Sequence, residues 1–176
     1  CFMNSRKVVL IDAGTGNLRS VYNALQKLGA QVMMVGEPAA IPPGERVILP
    51  GVGAFGRFMD GLDEHGVLPA IREAVARGDP LLGICVGMQA LFEASDELGE
   101  HAGLGFLSGR VTLFPQQLGL KVPHTGWNQL WPQRASPLLQ GIRPGAYAYF
   151  NHAYYCAASR RWSERPKPSA PPGHGD

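Results

Sequence analysis

No run of apolar residues in this chain is long enough to cross a bilayer as a helix, which needs about 20 of them. The first residues also lack the basic, apolar and small-residue layout of a secretory signal. A soluble, cytoplasmic protein without a membrane partner is expected. Charge is scarce: 17% of residues are charged, and 16 basic against 14 acidic side chains leave a formal net charge of +2. So even a balance offers little to nucleic-acid phosphates, and no nucleic-acid partner is expected. Cysteine occurs only at positions 1, 85 and 156. Three thiols cannot all pair, and their spacing matches no zinc pattern, so neither a disulfide framework nor a metal site is expected.

Glycine (23) and proline (15) are plentiful, which points to tight turns and close backbone approaches. At 176 residues the chain can build one sizeable core but not two comfortable domains. Val8-Val9-Leu10-Ile11-Asp12 is a continuous apolar run ending in a carboxylate, as in a parallel strand buried on both faces. After the turn Gly14-Thr15-Gly16-Asn17, Leu18, Val21, Tyr22, Leu25 and Leu28 recur at helical spacing until Gly29. Gln31–Val35 and Arg46–Leu49 read as two more strands, the second running into Pro50-Gly51-Val52-Gly53-Ala54-Phe55-Gly56. Leu68, Ile71 and Val75 mark another helix, closed by Gly78. Strands alternating with helices in this way predict an α/β fold with an open, mostly parallel, doubly wound sheet. Beyond Gly99 the segments Gly109–Phe114, Gly126–Trp131 and Ala146–Tyr155 read as strands, a β-rich part appended to the sheet edge.

The chemistry centres on Gly83-Ile84-Cys85-Val86-Gly87, reached from the apolar stretch Pro80-Leu81-Leu82. A nucleophile with glycine at −2 and +2, after a strand and before a helix, has the spacing of a nucleophile elbow. Side chains at the flanking positions would collide across the turn, and the helix that follows would favour thiolate over thiol. The alternative is a small buried cysteine that packs as a hydrophobe. One oxyanion donor follows from the elbow, the N–H of Val86. A second is expected from Pro50-Gly51-Val52-Gly53, where glycine lets an amide turn inward. Because ligands gather at the carboxyl ends of parallel strands, Asp12–Asn17, Pro50–Gly56 and Cys85 should converge on one edge. Gly14-Thr15-Gly16 lacks the full dinucleotide fingerprint, so no nicotinamide, flavin or other cofactor is expected.

Asp12-Ala13-Gly14-Thr15-Gly16-Asn17, Pro50-Gly51-Val52-Gly53, Gly83–Gln89, Gly126-Trp127-Asn128 and Tyr149-Phe150-Asn151-His152 occur in that order. Together they resemble the glutaminase subunits of imidazole glycerol phosphate synthase, class I glutamine amidotransferases of histidine biosynthesis. The resemblance covers residues 7 to 157. It implies that Cys85 attacks the side-chain amide of L-glutamine and that Val52, Gly53 and Val86 supply the oxyanion hole. It also implies that Gly51, Gln89, Ala153 and Tyr154 contact glutamine. Ammonia would pass to a (β/α)₈-barrel cyclase subunit that makes imidazole glycerol phosphate and an aminoimidazole carboxamide ribotide. Asn17, Trp127 and Tyr149 would lie near that subunit; for Trp127 and Tyr149, packing in the core is an equal alternative. His124 and His152 would lie near the interface and substrate.

The family's His-Pro-Glu motif, which supplies base and orienting carboxylate, is absent from the sequence. His65 and His101 stand in polar contexts and read as surface residues, and His174-Gly175-Asp176 sits in a Pro-rich tail. Residues 1–157 are therefore expected to form an amidotransferase domain incomplete at its C-terminal end. Residues 158–176, with four prolines and four basic residues, are expected to be a disordered or frame-shifted tail. Three other readings stand beside this one: a truncated, glutaminase-dead subunit that only docks on the cyclase, another class I amidotransferase, or an N-terminal-nucleophile enzyme using Cys1. Resequencing the gene is expected to reveal a frame that continues into further strands and a His-x-Glu turn. A natural chain that ends at Asp176 and hydrolyses glutamine at an ordinary rate would refute the frame-shift expectation.

Overall fold

A computed structural model of the protein describes residues 7–36, 41–115, 119 and 121–159. Cys1, the tail from residue 160 and the His174–Asp176 triplet lie outside the described residues. The chain forms two units, one of residues up to Val111 together with those from Cys156 on, the other Thr112–Tyr155.

The first unit begins with β1 (Lys7–Ile11), α1 (Leu18–Lys27), β2 (Gln31–Val35) and β3 (Arg46–Gly51). There follow α2 (Phe55–Glu64), α3 (Leu68–Ala76), β4 (Leu81–Cys85) and α4 (Val86–Gln89). β1 to β4 make a parallel sheet in the order β2-β1-β3-β4. As its apolar run demands, β1 is central and buried from Val8 to Ile11. Alternation along the strands divides its side chains between two faces. Val8 and Leu10 of β1 and Ile48 of β3 pack against Leu18, Val21, Tyr22 and Leu25, the apolar stripe of α1. Asn17 caps that helix, its side-chain oxygen accepting the Ser20 N–H at 3.4 Å. The other helices contribute the fully buried Phe55, Phe58, Leu62 and Ile71.

Helix α2 was not legible as a helix, because Gly56 and Gly61 interrupt its pattern and are poor helix formers. Gly61 is there for space: a Cβ at this position would run into the Ala13 carbonyl oxygen at the end of β1. The second difference concerns the segment after Cys85. The helix that follows the elbow is a single turn, and the chain then enters β5 (Phe92–Ser95), β6 (His101–Ala102) and β7 (Leu107–Leu113). Ala90, Leu91 and Phe92 are all buried, and three consecutive apolar residues fit a strand or a buried helix equally well. The third difference is in the β-rich part. It does not lengthen the parallel sheet, whose β4 is paired among the described residues only with β3. Instead β5, β6 and β7 join β10 (Tyr154–Ala158) in a separate sheet ordered β10-β7-β5-β6.

The second unit is built on an antiparallel pair, β8 (His124–Gln129) with β9 (Tyr147–His152). No helix among the described residues is long and apolar enough to cross a membrane.

The Gly61 contact gives a test with an inverted sign. In an exposed helix interior Gly→Ala stabilises by about 1 kcal/mol. Here Gly61→Ala is expected to destabilise by about 2 kcal/mol, because backbone rather than a flexible side chain opposes the new methyl group. The urea midpoint should fall with the slope unchanged. A midpoint that rises would mean that α2 does not press on the end of β1.

Candidate active site

The carboxyl ends of β1, β3 and β4 lie on one edge of the parallel sheet, and the expected convergence is found there. Gly51 stands opposite Cys85 in the β3–β4 register, and Pro50 opposite Ile84. A Cβ on Gly16 would lie 3.9 Å from the Pro50 carbonyl oxygen, which places the Asp12–Asn17 loop beside the same edge. Within that loop Asp12 Oδ1 accepts the Gly14 N–H at 2.8 Å, closing the turn.

Cys85 carries the strain that an elbow requires. Its φ is 56° and its ψ −120°, and it is one of two non-glycine residues with positive φ among those described. Such a conformation costs about 1–3 kcal/mol and persists only where the surroundings impose it. The surroundings here are backbone. A Cβ on Gly83 would strike Met88 Cα and come within 2.6 Å of the Gly87 carbonyl oxygen, so the −2 glycine is required by the turn itself. A Cβ on Gly87 would strike the Leu49 carbonyl oxygen of β3, so the +2 glycine answers to the neighbouring strand, not to a collision across the turn.

The turn leaves the Cys85 side chain exposed and buries Val86, the first residue of α4. A helix of one turn carries little macrodipole. Val52 is exposed, and Gly53 has φ 93°, the left-handed backbone that glycine tolerates. Gln89 is half-buried on the last residue of α4. Thus Gly51, Val52, Gly53, Cys85, Val86 and Gln89 share one edge of the first unit. Asn17 lies on the same edge, exposed and engaged as the cap of α1.

Two histidines expected at the surface are committed to structure. His65 Nδ1 is 2.8 Å from the Gly36 carbonyl oxygen, and its ring occupies the space a side chain at Gly14 would need. The His101 ring lies over Gly56, where an added Cβ would be 2.6 Å from Cε1. Among the described residues no group of three or more His, Cys, Asp or Glu side chains could hold a metal ion.

Cys156, on β10, is half-buried, and burial pushes its thiol up to about 11. That environment suppresses a thiolate, the opposite of what a nucleophile needs.

The remaining candidates belong to the second unit. Trp127 and Tyr149 face each other across the β8–β9 pair with ring centroids 5.7 Å apart and planes at 71°. They are 70% and 58% exposed. Ala153 accepts the Phe114 N–H at 3.1 Å, and the Tyr154 carbonyl oxygen accepts from His152 Nδ1 at 2.8 Å. With that proton on Nδ1, His152 Nε2 accepts from His124 Nδ1, 3.2 Å away. Both rings contact Phe114 and Phe150, and Tyr155 stacks on Phe114.

Residues 9–167 match the family model of glutamine amidotransferase class-I. The chain is 47% identical over 149 residues to the imidazole glycerol phosphate synthase subunit HisH of Aquifex aeolicus, covering 84% of this chain and 71% of the relative. It is 46% identical over 156 residues to the HisH subunit of Wolinella succinogenes, covering 87% and 76%. For the HisH subunit of Moorella thermoacetica the figures are 49% over 150 residues, covering 85% and 70%. Two solved structures share the fold at 19% identity. One is a glutamine amidotransferase, with a TM-score of 0.56 over 85% of this chain and 73% of that one. The other is PurLQS from Thermotoga maritima, with a TM-score of 0.59 over 87% and 69%. On the family match and on identities of this size over most of its length, the chain belongs to the class I glutamine amidotransferases, among the HisH subunits of imidazole glycerol phosphate synthase.

Proposed function

We propose that Cys85 is the nucleophile of a glutaminase and that its ammonia goes to a (β/α)₈-barrel cyclase subunit of the same synthase. The observation that carries this reading is the left-handed backbone of Cys85 between two glycines that backbone contacts make obligatory. A cysteine that merely packed would have no reason to hold that strain.

The Cys85 sulfur attacks the side-chain carbonyl carbon of L-glutamine, and the carbonyl oxygen becomes a tetrahedral oxyanion. The N–H groups of Val86 and of the Val52–Gly53 segment are assigned to that charge rather than to the ground-state carbonyl. Collapse breaks the C–N bond, the proton given up by the Cys85 thiol ends on the leaving nitrogen, and ammonia departs, leaving a γ-glutamyl thioester on Cys85. Water then hydrolyses the thioester to glutamate and restores the thiol. Gly51 and Gln89, on the same edge, are assigned to the substrate. The exposed Trp127 and Tyr149, with Asn17, are assigned to the cyclase interface; their exposure favours a partner over a core role. No described histidine is given the role of general base. Residues 1–157 are read as the amidotransferase domain.

A glutamine-derived electrophile should label Cys85 in the complex with the cyclase, read by peptide mass spectrometry, and Cys85→Ser should abolish the label. Labelling centred on Cys156 would sink the assignment.

The pH profile of Cys156 is a further test. Held at about 11 by burial, Cys156 has a thiolate fraction at pH 8 on the order of one in a thousand, so its alkylation should rise only in strong alkali. The linkage has a definite sign. An unfolded thiol loses its proton near the ordinary value of 9.0, whereas the folded one keeps it to about 11. Stability present below pH 9 is therefore lost as pH rises through that window. Cys156→Ala should flatten this part of the profile of melting temperature against pH, and an unchanged profile would show that Cys156 is not the group responsible.

A further inference from the structure

The loop assigned above to the oxyanion hole is very short. At one end Gly51 is fixed by pairing with β4, opposite Cys85. At the other end Phe55 opens α2, with its side chain fully buried. Only Val52, Gly53 and Ala54 lie between. Among the described residues little packs on the middle of this span: Val52 is exposed, and no atom beyond the adjoining residues lies within 4 Å of the position a Cβ would take on Gly53. The orientation of the Val52–Gly53 peptide is therefore decided by what holds the two ends.

The Phe55 end has no local support. The N-cap of α2 is Ala54, which makes no side-chain hydrogen bond, and the first turn contains no acidic residue. One orphan donor of that turn is instead met from far along the chain: Phe55 N–H donates to Glu97 Oε2 at 2.8 Å. Glu97 sits between β5 and β6 and is itself held. Its N–H donates to the Oγ of the fully buried Ser95 at 3.2 Å, and the Asp96 N–H donates to the Val111 carbonyl at 3.0 Å. Arg110 engages the carboxylates of Asp96 and Glu100 on either side, while Glu97 turns to α2. The His101 ring, from β6, closes over Gly56 in the same turn.

We propose that Glu97 is a positioning residue that orients the Val52–Gly53 peptide by anchoring the first turn of α2. The proposal rests on the reading of Cys85 and Gly51–Gly53 given above. A carboxylate suits the task because it meets an unpaired N–H and the positive end of a ten-residue helix together.

Two reactions of the same sulfur separate orientation from folding. With a γ-glutamyl p-nitrophenyl ester, Cys85 adds to the carbonyl through a tetrahedral oxyanion; the C–O bond breaks, p-nitrophenolate leaves and a thioester remains. With iodoacetamide the sulfur displaces iodide directly and no oxyanion forms. In the full chain, Glu97→Ala is expected to lower the ratio of acylation to alkylation about tenfold or more, short of the 100- to 1,000-fold typical of a donor removed outright. Glu97→Gln, whose carbonyl oxygen can still accept the Phe55 N–H, should stay within about threefold of the parent. Glu97→Asp withdraws the oxygen by one methylene and should lower the ratio about threefold, which keeps the test available if the alanine variant does not fold. A ratio unchanged in Glu97→Ala or Glu97→Asp, both rates falling in parallel, or Glu97→Gln as impaired as Glu97→Ala would each overturn the role of Glu97. A parent chain that iodoacetamide alkylates at Cys85 but the ester does not acylate would instead overturn the underlying oxyanion reading, and this proposal with it.

Discussion

The rest of the first unit depends on one backbone conformation, the left-handed φ at Cys85. An L-residue with a side chain does not stay there unaided, since the strain is a sizeable part of a domain's whole stability. It is held by packing of backbone on backbone. Gly83 and Gly87 let the chain double back until Gly87 touches the Leu49 carbonyl of β3, and the one-turn helix then starts without a gap. A methyl group at either glycine would push the turn open and let Cys85 relax. The reactive sulfur is thus exposed because the backbone beneath it is crowded.

The same crowding sets the neighbouring loop. β3 and β4 pair through Gly51 and Cys85, so the point where β3 ends is fixed relative to the sulfur by the strand register. Gly51 must also be bare, for a Cβ there would come within 2.9 Å of the Gly87 N. Register then acts as a ruler, and whatever a Val52–Gly53 amide does for an oxyanion, it does at a distance set by sheet pairing. Only its rotation is left free, which is why the far end of the loop matters.

These relations were unequally legible in the sequence. The elbow and the strands β1, β2, β3 and β4 could be read directly, because a buried parallel strand and a Gly-bracketed nucleophile each leave a local signature. Helices α1 and α3 showed their apolar spacing. Helix α2 did not, since Gly56 and Gly61 serve contacts with His101 and Ala13 that no local pattern reveals. β5 and β6 were hidden for a related reason: Phe92 and Ser95 are buried by strands elsewhere in the chain, and the short apolar run fits either state. The Glu97 contact spans 42 residues, and a carboxylate between two others reads as solvated surface until the fold brings α2 to it.

The second unit illustrates a different limit. Along β8 and β9 one face carries His124, Phe150 and His152, joined to Phe114 by ring contacts, and the other carries Trp127, Tyr149 and Tyr147. Aromatic residues on both faces remove the apolar–polar alternation that tells inside from outside. The sequence therefore left Trp127 and Tyr149 evenly poised between core and interface. Geometry decides between the faces, because a two-stranded pair has little surface to bury and the Phe114 side takes it. What remains is an edge-to-face aromatic pair held rigid by the cross-strand register and exposed to solvent. Rigid aromatic rings have little conformational entropy left to lose, and the cross-strand register fixes how this pair is presented.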